Sequence, residues 1–196
     1  MVTGQTGRVD QPLPCRTFAE LTDHLDVLRA APSDTGTLEL VVRRPSNGTR
    51  EVLDRGELST TDGLLGDNWL RRATSRAIAA GRHLDAQVNV MSARMASFLA
   101  YGDPERQALA GDQLYLDLDV SVDNLPTGAR LAIGSDAVIE VTAKPHNGCA
   151  KFVRRFGRDA ERFVNSPEGK QLRLRGFNAR VVTAGVVRPR DSVKRL

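Results

Sequence analysis

The residues best suited to chemistry lie in the segment 144–157, KPHNGCAKFVRRFG, which contains Cys149. Pro145, Asn147 and Gly148 favour a turn, so the pattern places Cys149 where a loop enters a helix. The free N–H groups and the positive dipole end of a helix N-terminus stabilise a thiolate. Cys149 therefore has the surroundings of a nucleophile or of a ligand for a soft metal.

Positive charge lies close to this thiol in the sequence, at Lys144, Lys151, Arg154 and Arg155. The alternative is that Cys149 is a small buried hydrophobic residue, as many free cysteines are. His146 is a candidate base for the thiol, although a Pro/Gly loop fixes no geometry and loop histidines often only bond the backbone. We therefore take Cys149 and His146 as candidate catalytic residues, with Cys149 also the candidate metal ligand.

The rest of the composition limits the class of protein. No stretch approaches the roughly 18 apolar residues of a membrane span, and the N-terminus lacks the apolar core of a signal peptide. Two cysteines provide no disulfide framework, and with three histidines they match no zinc-ligand spacing; Cys15, beside Pro14, is read as incidental. We expect a cytoplasmic protein without a membrane segment.

Charge is distributed unevenly along the chain. Residues 144–196 contain fourteen Lys and Arg against four Asp and Glu. This excess suits a phosphorylated cofactor, an anionic substrate or nucleic acid, and is equally typical of a solvated basic face. Aromatic residues make up only 5% of the chain, so we do not expect a nucleic-acid partner that needs base stacking.

Short strands must position these residues. The sequence predicts a short helix with a capping box at Thr17 and Glu20, within an N-terminal appendage at 1–36. Residues 37–196 form the main domain. Predicted strands cover 37–44, 50–53, 87–91, 114–122, 130–133, 137–142, 172–175 and 178–187, with a loop at 56–66 and helices at 93–101, 148–156 and 159–164. This pattern predicts a mostly β, α+β fold: a partly closed β-barrel decorated by short helices.

Two pairs of polar residues accompany these strands. Asp119 and Asn124 lie on or just after the alternating strand 114–122, where they project towards a pocket or simply face solvent. Arg173 and Arg175 alternate with leucines, so both share one face of their predicted strand. They are candidate phosphate ligands or a solvent-facing pair.

Several short motifs follow one another in a specific order around the cysteine. They are Gly66-Asp67, Gly111-Asp112-Gln113-Leu114, Asn124-Leu125-Pro126-x-Gly128, Leu131-Ala132-Ile133-Gly134, Glu140-Val141-Thr142, Gly148-Cys149-Ala150-Lys151-Phe152, Arg155-Phe156-Gly157, Arg175-Gly176 and Gly185. This succession, over residues 38–194, resembles the MOSC domain, which is shared with the C-terminus of eukaryotic molybdenum-cofactor sulfurases.

The resemblance implies a barrel-like fold whose cysteine, here Cys149, carries sulfur or ligates molybdenum in a pterin cofactor. Some relatives reduce N-hydroxylated small molecules, which requires an electron-transfer partner. The pyridoxal-phosphate domain that supplies sulfur in the sulfurases is not expected on this chain. The implied partners are a molybdenum cofactor or a sulfur donor. The alternative is a non-catalytic module that handles cofactor or sulfur, or binds phosphate, without metal.

The sequence departs from the family pattern after Gly66-Asp67. Many relatives carry a basic residue and a histidine there, where this chain has Asn68-Trp69. Asn68 can still hydrogen-bond a cofactor while Arg71 or Arg72 supplies charge, or the segment is only a tight turn beside a core tryptophan. The candidate cofactor-binding residues are therefore Asp67, Asn68, Arg71, Asp119, Asn124, Lys151, Arg155, Arg173 and Arg175.

Overall fold

The computed structural model describes residues 14–196, of which the strands form the framework. These are β1 (Thr35–Arg43), β2 (Glu51–Leu53), β3 (Gly56–Ser59), β4 (Gly63–Leu64), β5 (Val88–Ser92), β6 (Leu114–Asp117), β7 (Arg130–Ile133), β8 (Ala137–Val141), β9 (Phe177–Thr183), β10 (Gly185–Val187) and β11 (Ser192–Arg195). The helices are α1 (Phe18–Asp23), α2 (Leu25–Arg29), α3 (Ser75–Ala79), α4 (Ala93–Ala100), α5 (Pro104–Ala108), α6 (Ala150–Asn165) and α7 (Pro167–Gln171), with 3₁₀ turns at Leu70–Arg72 and Arg82–Ala86.

Seven of the strands close a barrel. Their hydrogen-bonded order is β1-β11-β7-β8-β9-β5-β6, and β6 pairs again with β1. All neighbours are antiparallel except β5 and β6. Strand β2 extends the sheet from β1, while β3, β4 and β10 form a small second sheet. The predicted α+β, mostly β barrel with short helices is thereby confirmed.

The two faces of β1 supply two separate hydrophobic clusters. Its register with β6 shifts between Leu38 and Leu40, and this bulge puts Leu38 and Val41 into the barrel interior. Leu40 and Val42 instead pack with the helices on the outer side. The barrel wall is therefore buried on both sides over this stretch, which explains its almost uninterrupted apolar sequence.

Helix α6 packs into the outer cluster through Phe152, Phe156, Ala160 and Phe163, which recur at helical spacing. The helix is interrupted at Gly157, whose φ of 89° is outside the helical region. This break agrees with the two consecutive helices that the sequence predicts there. Since the buried phenylalanines fix α6 on the barrel, they also fix where its first turn lies.

The N-terminal helices pack against this same cluster. The predicted capping box is present, with the Thr17 hydroxyl accepting from the Glu20 N–H and the Glu20 carboxylate accepting from the Thr17 N–H. Leu21, Leu25 and Leu28 are all buried in the outer cluster. The domain division at residue 36 stays a prediction, and its residues 1–13 lie outside those the structure describes.

Some element predictions are wrong. The segment 172–175 is not a strand: the Leu174 N–H donates to Gly169 O, and Arg173 has a φ of 46°, so the chain turns. The predicted loop 56–66 contains β3 and β4, and the strand predicted to end at residue 122 ends at Asp117. Strand β11, which closes the barrel, was not predicted. Alternating Leu and Arg mimic a strand because period-two patterning does not encode the backbone conformation.

Every helix in the described part of the chain is too short or too polar to cross a lipid bilayer.

We predict that Leu21→Ala destabilises the protein by about 2–5 kcal/mol, the usual cost of truncating a buried leucine. The matched control is Val27→Ala in α2, where the side chain is 48% exposed and the cost should stay within about 0.5 kcal/mol. Chemical denaturation of both variants measures the free energy of unfolding. Equal stability of the two variants would show that the N-terminal helices do not contribute to the cooperative core.

Candidate functional site

Cys149 is the N-cap residue of α6, with extended backbone and an exposed side chain. The loop that leads to it is held from two elements. The Asn178 side chain on β9 donates to Lys144 O and Pro145 O, both at 3.0 Å. The Gly148 N–H donates to Asn165 Oδ1 at the far end of α6, also at 3.0 Å. The predicted position of Cys149, where a loop enters a helix, is therefore found.

The surroundings of the Cys149 thiol favour its ionised form. Partial burial raises its pKa, but the backbone N–H groups of Phe152 and Lys151 and the charges of Arg175 and Lys151 outweigh this effect. The net pKa lies below the ordinary value, although the thiol makes no capping hydrogen bond of normal geometry. A larger fraction of Cys149 is consequently thiolate at neutral pH than for an ordinary cysteine.

Behind the thiol lies a buried carboxylate, Asp112, which no solvent reaches. Its Oδ2 accepts from Arg175 Nη1 at 2.7 Å, and its Oδ1 lies 2.6 Å from His146 Nε2. Burial raises the pKa of Asp112, but the charges and hydrogen bonds of Arg175 and His146 have the larger opposite effect. The resulting pKa is about 2, below the ordinary value of an aspartate. Asp112 is therefore ionised at neutral pH and accepts hydrogen bonds only.

The ionised carboxylate determines the state of His146. Because Asp112 only accepts, His146 Nε2 must carry the hydrogen that it donates. Burial and the charge of Arg175 lower the pKa of His146, against the opposing effect of Asp112. At neutral pH His146 is consequently a neutral imidazole whose Nδ1 has a free lone pair. It has the electronic state of a proton acceptor.

A second buried ion pair supports the opposite wall. Arg44 donates from Nε and Nη2 to the two oxygens of Asp67, at 2.8 and 2.9 Å, and both side chains are almost fully buried. Its remaining Nη1 donates to Asn89 Oδ1 and Gly111 O, both at 2.7 Å. Such bidentate, hydrogen-bonded geometry offsets the desolvation of both charges.

These elements enclose a cavity of about 230 Å³, the thiol cleft. Its lining contains six Lys and Arg residues and, among the residues that the structure describes, no Asp or Glu. The six are Arg44, Arg50, Arg72, Lys151, Arg155 and Arg175. Asp67 and Asp112 lie behind this surface as partners of Arg44 and Arg175. The cleft therefore presents a cationic surface beside a thiolate.

Four of these cations lack a carboxylate partner within residues 14–196: Arg50, Arg72, Lys151 and Arg155 form no ion pair there. Burial lowers the pKa of Arg50, and the neighbouring charges of Arg155 and Arg44 lower it further. Burial and the charge of Arg44 likewise lower the pKa of Arg72. Mutual repulsion between guanidinium groups is relieved when an anion binds among them.

Unsatisfied polar atoms concentrate at the same cleft. In the described part of the chain, five buried side-chain polar atoms lack a hydrogen-bond partner, and three belong to residues of this cleft. They are Arg50 Nε, Arg175 Nε and Asn68 Oδ1. Buried polar groups are normally satisfied, so such a concentration indicates a place for a polar ligand or for water.

The structure brings together only some of the candidate residues. Those that line the thiol cleft are Asn68, His146, Cys149, Lys151, Arg155 and Arg175. Arg155 also donates to Leu109 O, and Lys151 Nζ lies 3.5 Å from Asn47 Oδ1. Their roles towards a cofactor stay predictions.

The remaining candidates lie elsewhere. Asp67 is behind the cleft as the partner of Arg44, and Arg72 rather than Arg71 lines the cleft. Arg173 lines a neighbouring cleft. Asp119 and Asn124 do not line the thiol cleft: the Asn124 amide donates to Asp119 O and Ser33 O and accepts from Arg195, which fastens the barrel to its flanking segments.

Four residues of the site were not among the candidates, Arg44, Arg50, Asn89 and Asp112, and Arg72 was named only as an alternative to Arg71. Asp112 is part of the Gly111-Asp112-Gln113-Leu114 motif, and Arg44 is the last residue of the predicted strand 37–44. The sequence therefore placed both residues in a motif or an element, without a role in the site. Nothing in either pattern shows that a charged residue is buried with a partner 23 positions away, as Arg44 is with Asp67. Such long-range pairing is visible only in the fold.

No protein-family model matches the chain, and no curated protein sequence matches it. Solved structures do match. The YUAD protein from Bacillus subtilis is 14% identical with a TM-score of 0.53, covering 81% of this chain and 94% of that one. YiiM from Escherichia coli is 19% identical with a TM-score of 0.50, covering 82% and 69%.

A structure described as that of a hypothetical protein is 19% identical, with a TM-score of 0.55 over 86% of this chain and 70% of the other. At these identities the likeness shows the fold alone. The likeness agrees with the closed, mostly β barrel of this chain.

We predict that Cys149 alkylates as a low-pKa thiol. In a Cys15→Ser background, the rate of reaction with iodoacetamide should rise with pH, and the midpoint of this rise should lie below about 8.5, the pKa of an ordinary cysteine. Lys151→Ala should move this midpoint upward, because the Lys151 charge lowers the Cys149 pKa. Lys194→Ala, an exposed lysine on β11, is the control and should leave it unchanged. A midpoint at or above 8.5 would contradict a stabilised thiolate.

We predict that Asp112→Asn, which leaves Arg175 buried without its counter-charge, destabilises the protein by about 3–5 kcal/mol at neutral pH. The folded-state pKa of Asp112 is lowered, so its stabilisation is complete above the unfolded pKa of about 3.9 and is lost as pH falls towards 2. Urea denaturation at several pH values should show the gap between wild type and variant narrowing over this range. Asp26→Asn, at a side chain that is 95% exposed, is the control. A gap independent of pH would show that Asp112 is not the titrating group.

Proposed function

We propose that this chain is a MOSC-type domain that binds a molybdenum–pterin cofactor, or the sulfur destined for one, through Cys149. The observation that carries the proposal is the thiol cleft itself. It combines one stabilised thiolate with six cationic side chains and no carboxylate among its described lining residues. A soft donor beside a phosphate-binding surface is the combination that a molybdenum centre with a phosphorylated pterin requires.

The metal-binding side chains available at the site favour a metal whose other ligands come from its cofactor. Within residues 14–196, no group of three or more His, Cys, Asp and Glu side chains could hold a metal ion. Cys149 can therefore supply only one protein ligand, and the sulfur atoms of a pterin cofactor would supply others. Thiolate sulfur is a soft donor and suits such a centre better than a hard, oxygen-coordinated cation.

The rest of the cleft supports the pterin and its phosphate. Arg50, Arg72, Arg155 and Lys151 would hold the phosphate, since all four lack a carboxylate partner in the described chain. Asn68 Oδ1, which has no donor, suits an N–H group of a pterin ring. These residues fit a ligand that is anionic at one end and a hydrogen-bonding heterocycle at the other.

When bound, such a centre supplies the two-electron chemistry needed to reduce N-hydroxylated small molecules, with electrons from a partner protein. The chain's own contribution is the His146–Asp112 pair. Neutral His146 has a free Nδ1 that can take a proton within the cleft, while Asp112 fixes its ring and stabilises the imidazolium that results. Arg175 keeps Asp112 ionised in both states of the histidine.

The exposed position of Cys149 favours a second role, that of a sulfur carrier. The thiolate can attack the outer sulfur of a donor persulfide, R–S–SH, to form Cys149–S–SH and release R–S⁻. This transfer is redox-neutral and needs no metal. It requires an external donor, and the cationic surface would stabilise the persulfide anion as it does the thiolate.

The test is the molybdenum content of the chain after production in a host that makes the cofactor. Wild type and Cys15→Ser should both retain molybdenum, whereas Cys149→Ser should retain roughly tenfold less or lower, because a hydroxyl is a poor soft-metal ligand. Arg155→Glu should also lower the molybdenum content, because it replaces a cation proposed to hold the cofactor phosphate with an anion that repels it.

Sulfur transfer is measured on the same variants by cyanide-labile sulfur after incubation with a persulfide donor. Cyanide-labile sulfur that depends on Cys149, in protein that retains no molybdenum, would support the carrier role alone. Equal molybdenum and equal labile sulfur in wild type and Cys149→Ser would contradict both forms of the proposal.

A further inference from the structure

A second cavity, of about 370 Å³, adjoins the thiol cleft; we name it the Lys170 cleft. It shares His146, Asn147 and Arg175 with the thiol cleft, so the two cavities meet at the candidate base, three residues before Cys149. Its own charged lining residues are Lys144, Lys170 and Arg173, and its lining within the described chain includes no Asp or Glu. It is a separate cationic space that opens next to the reactive thiol.

The backbone places Lys170 and Arg173 at this cleft, and Arg173 is also held by its side chain. Lys170 lies in α7, whose start is capped by the Ser166 hydroxyl accepting from the Gly169 N–H. Arg173 follows in the turn after α7 with a φ of 46°, a left-handed conformation that costs a non-glycine residue energy. Its guanidinium donates to Leu125 O and lies 5.7 Å from the centre of the Phe177 ring. The strained turn thus holds a cation at the wall of the cleft.

Some cations of the barrel are neutralised by carboxylates, whereas those of this cleft are not. Elsewhere on the barrel, Arg94 pairs with Asp117, while Arg130 and Arg180 both pair with Glu140. Lys144, Lys170 and Arg173 form no ion pair with any carboxylate of residues 14–196. Three unneutralised cations around one cavity favour an anionic ligand there.

The cleft also has walls for an organic body. Phe177 and Val164 are among its lining residues and form an apolar part of the cavity wall. The Thr142 hydroxyl, also in the lining, donates its hydrogen to Asp85 O and so has no hydrogen left to donate to a ligand. A ligand of this cleft therefore combines a terminal oxyanion with a small apolar or mixed body.

We propose that the Lys170 cleft binds the substrate: a small organic molecule with a terminal oxyanion, phosphate or carboxylate, whose other end reaches Cys149 and His146. The assignment as substrate site rests on the proposed function, because a cofactor would occupy the thiol cleft and leave this one free. Lys144, Lys170 and Arg173 hold the oxyanion, and the shared residues lie where the reactive end arrives.

Affinity labelling of Cys149 in cofactor-free, full-length Cys15→Ser protein tests the site. The probes are 2-(bromoacetamido)ethylphosphonate, 3-(bromoacetamido)propionate and the neutral N-ethylbromoacetamide, each of which loses bromide as the thiolate forms a thioether. The measured quantity is the ratio of each anionic rate to the neutral rate, in which any change of thiolate fraction cancels. In the reference protein the better anionic probe should saturate and react about tenfold faster than the neutral one.

Lys170→Ala and Lys144→Ala should lower this ratio towards one, and Lys194→Ala, an exposed lysine on β11 that lines neither cleft, should preserve it. A faster phosphonate assigns a phosphate group, and a faster carboxylate assigns a carboxylate. A ratio near one in the reference protein, or a ratio that stays high in both Lys170→Ala and Lys144→Ala, would overturn the proposal. The labelling needs no molybdenum, so its failure is separate from failure of the metal-content test.

Discussion

The burial of the Asp112 carboxylate is the constraint on which the site depends. An ionised carboxylate without solvent contact is tolerated only when it is paired and hydrogen-bonded: Arg175 supplies the opposite charge, and neutral His146 supplies a second hydrogen bond. These partners come from separate parts of the chain: Asp112 precedes β6, His146 lies in the loop before α6, and Arg175 follows the turn after α7. Satisfying one buried charge therefore fixes the relative position of three segments. The Arg44–Asp67 pair does the same for the end of β1 and the turn after β4.

This arrangement separates charge within the site. The carboxylates lie at the back, hydrogen-bonded on both oxygens, while guanidinium and ammonium groups face the clefts. The same polarity extends to α6, whose first N–H groups act on Cys149. Binding of an anion among these cations replaces repulsion with attraction at little cost in reorganisation, because most of the side chains are already held. A thiolate and a bound oxyanion are both stabilised by the same surface, so cofactor phosphate and reactive sulfur are compatible within one cleft.

Local patterns in the sequence predict the parts of this architecture that are determined locally. The Pro/Asn/Gly turn before Cys149 and the phenylalanines of α6 place the thiol at a helix start, and the capping box at Thr17 places α1. Patterning fails where tertiary contacts decide. Residues 172–175 alternate as a strand does, yet the Leu174 N–H donates to Gly169 O after α7 and Arg173 has positive φ, so the segment turns. Strand β11 is mostly exposed and polar, so only its pairing with β1 and β7 defines it. The role of Asp112 is likewise invisible, because its partners are distant in sequence.

The position of Cys149 also depends on contacts far from the clefts. Its helix, α6, is held on one side by the barrel, through Phe152 and Phe156 in the outer cluster. On the other side α1 packs against it: the rings of Phe18 and Phe163 meet edge to face at 5.7 Å, and the Phe18 N–H donates to the Asp159 carboxylate. The break at Gly157 lies between these two contacts. Cys15 packs so closely against Gly157 that a side chain at residue 157 would clash with it. The N-terminal segment thus contacts the second half of α6, which also packs into the outer cluster through Ala160 and Phe163. Cys149 caps the first half, which Phe152 and Phe156 hold on the barrel, but the Gly148 N–H beside it donates to Asn165 in the second half. The position of the thiol therefore depends on both halves of α6, and the contact of α1 with the second half supports the site as well as the outer cluster.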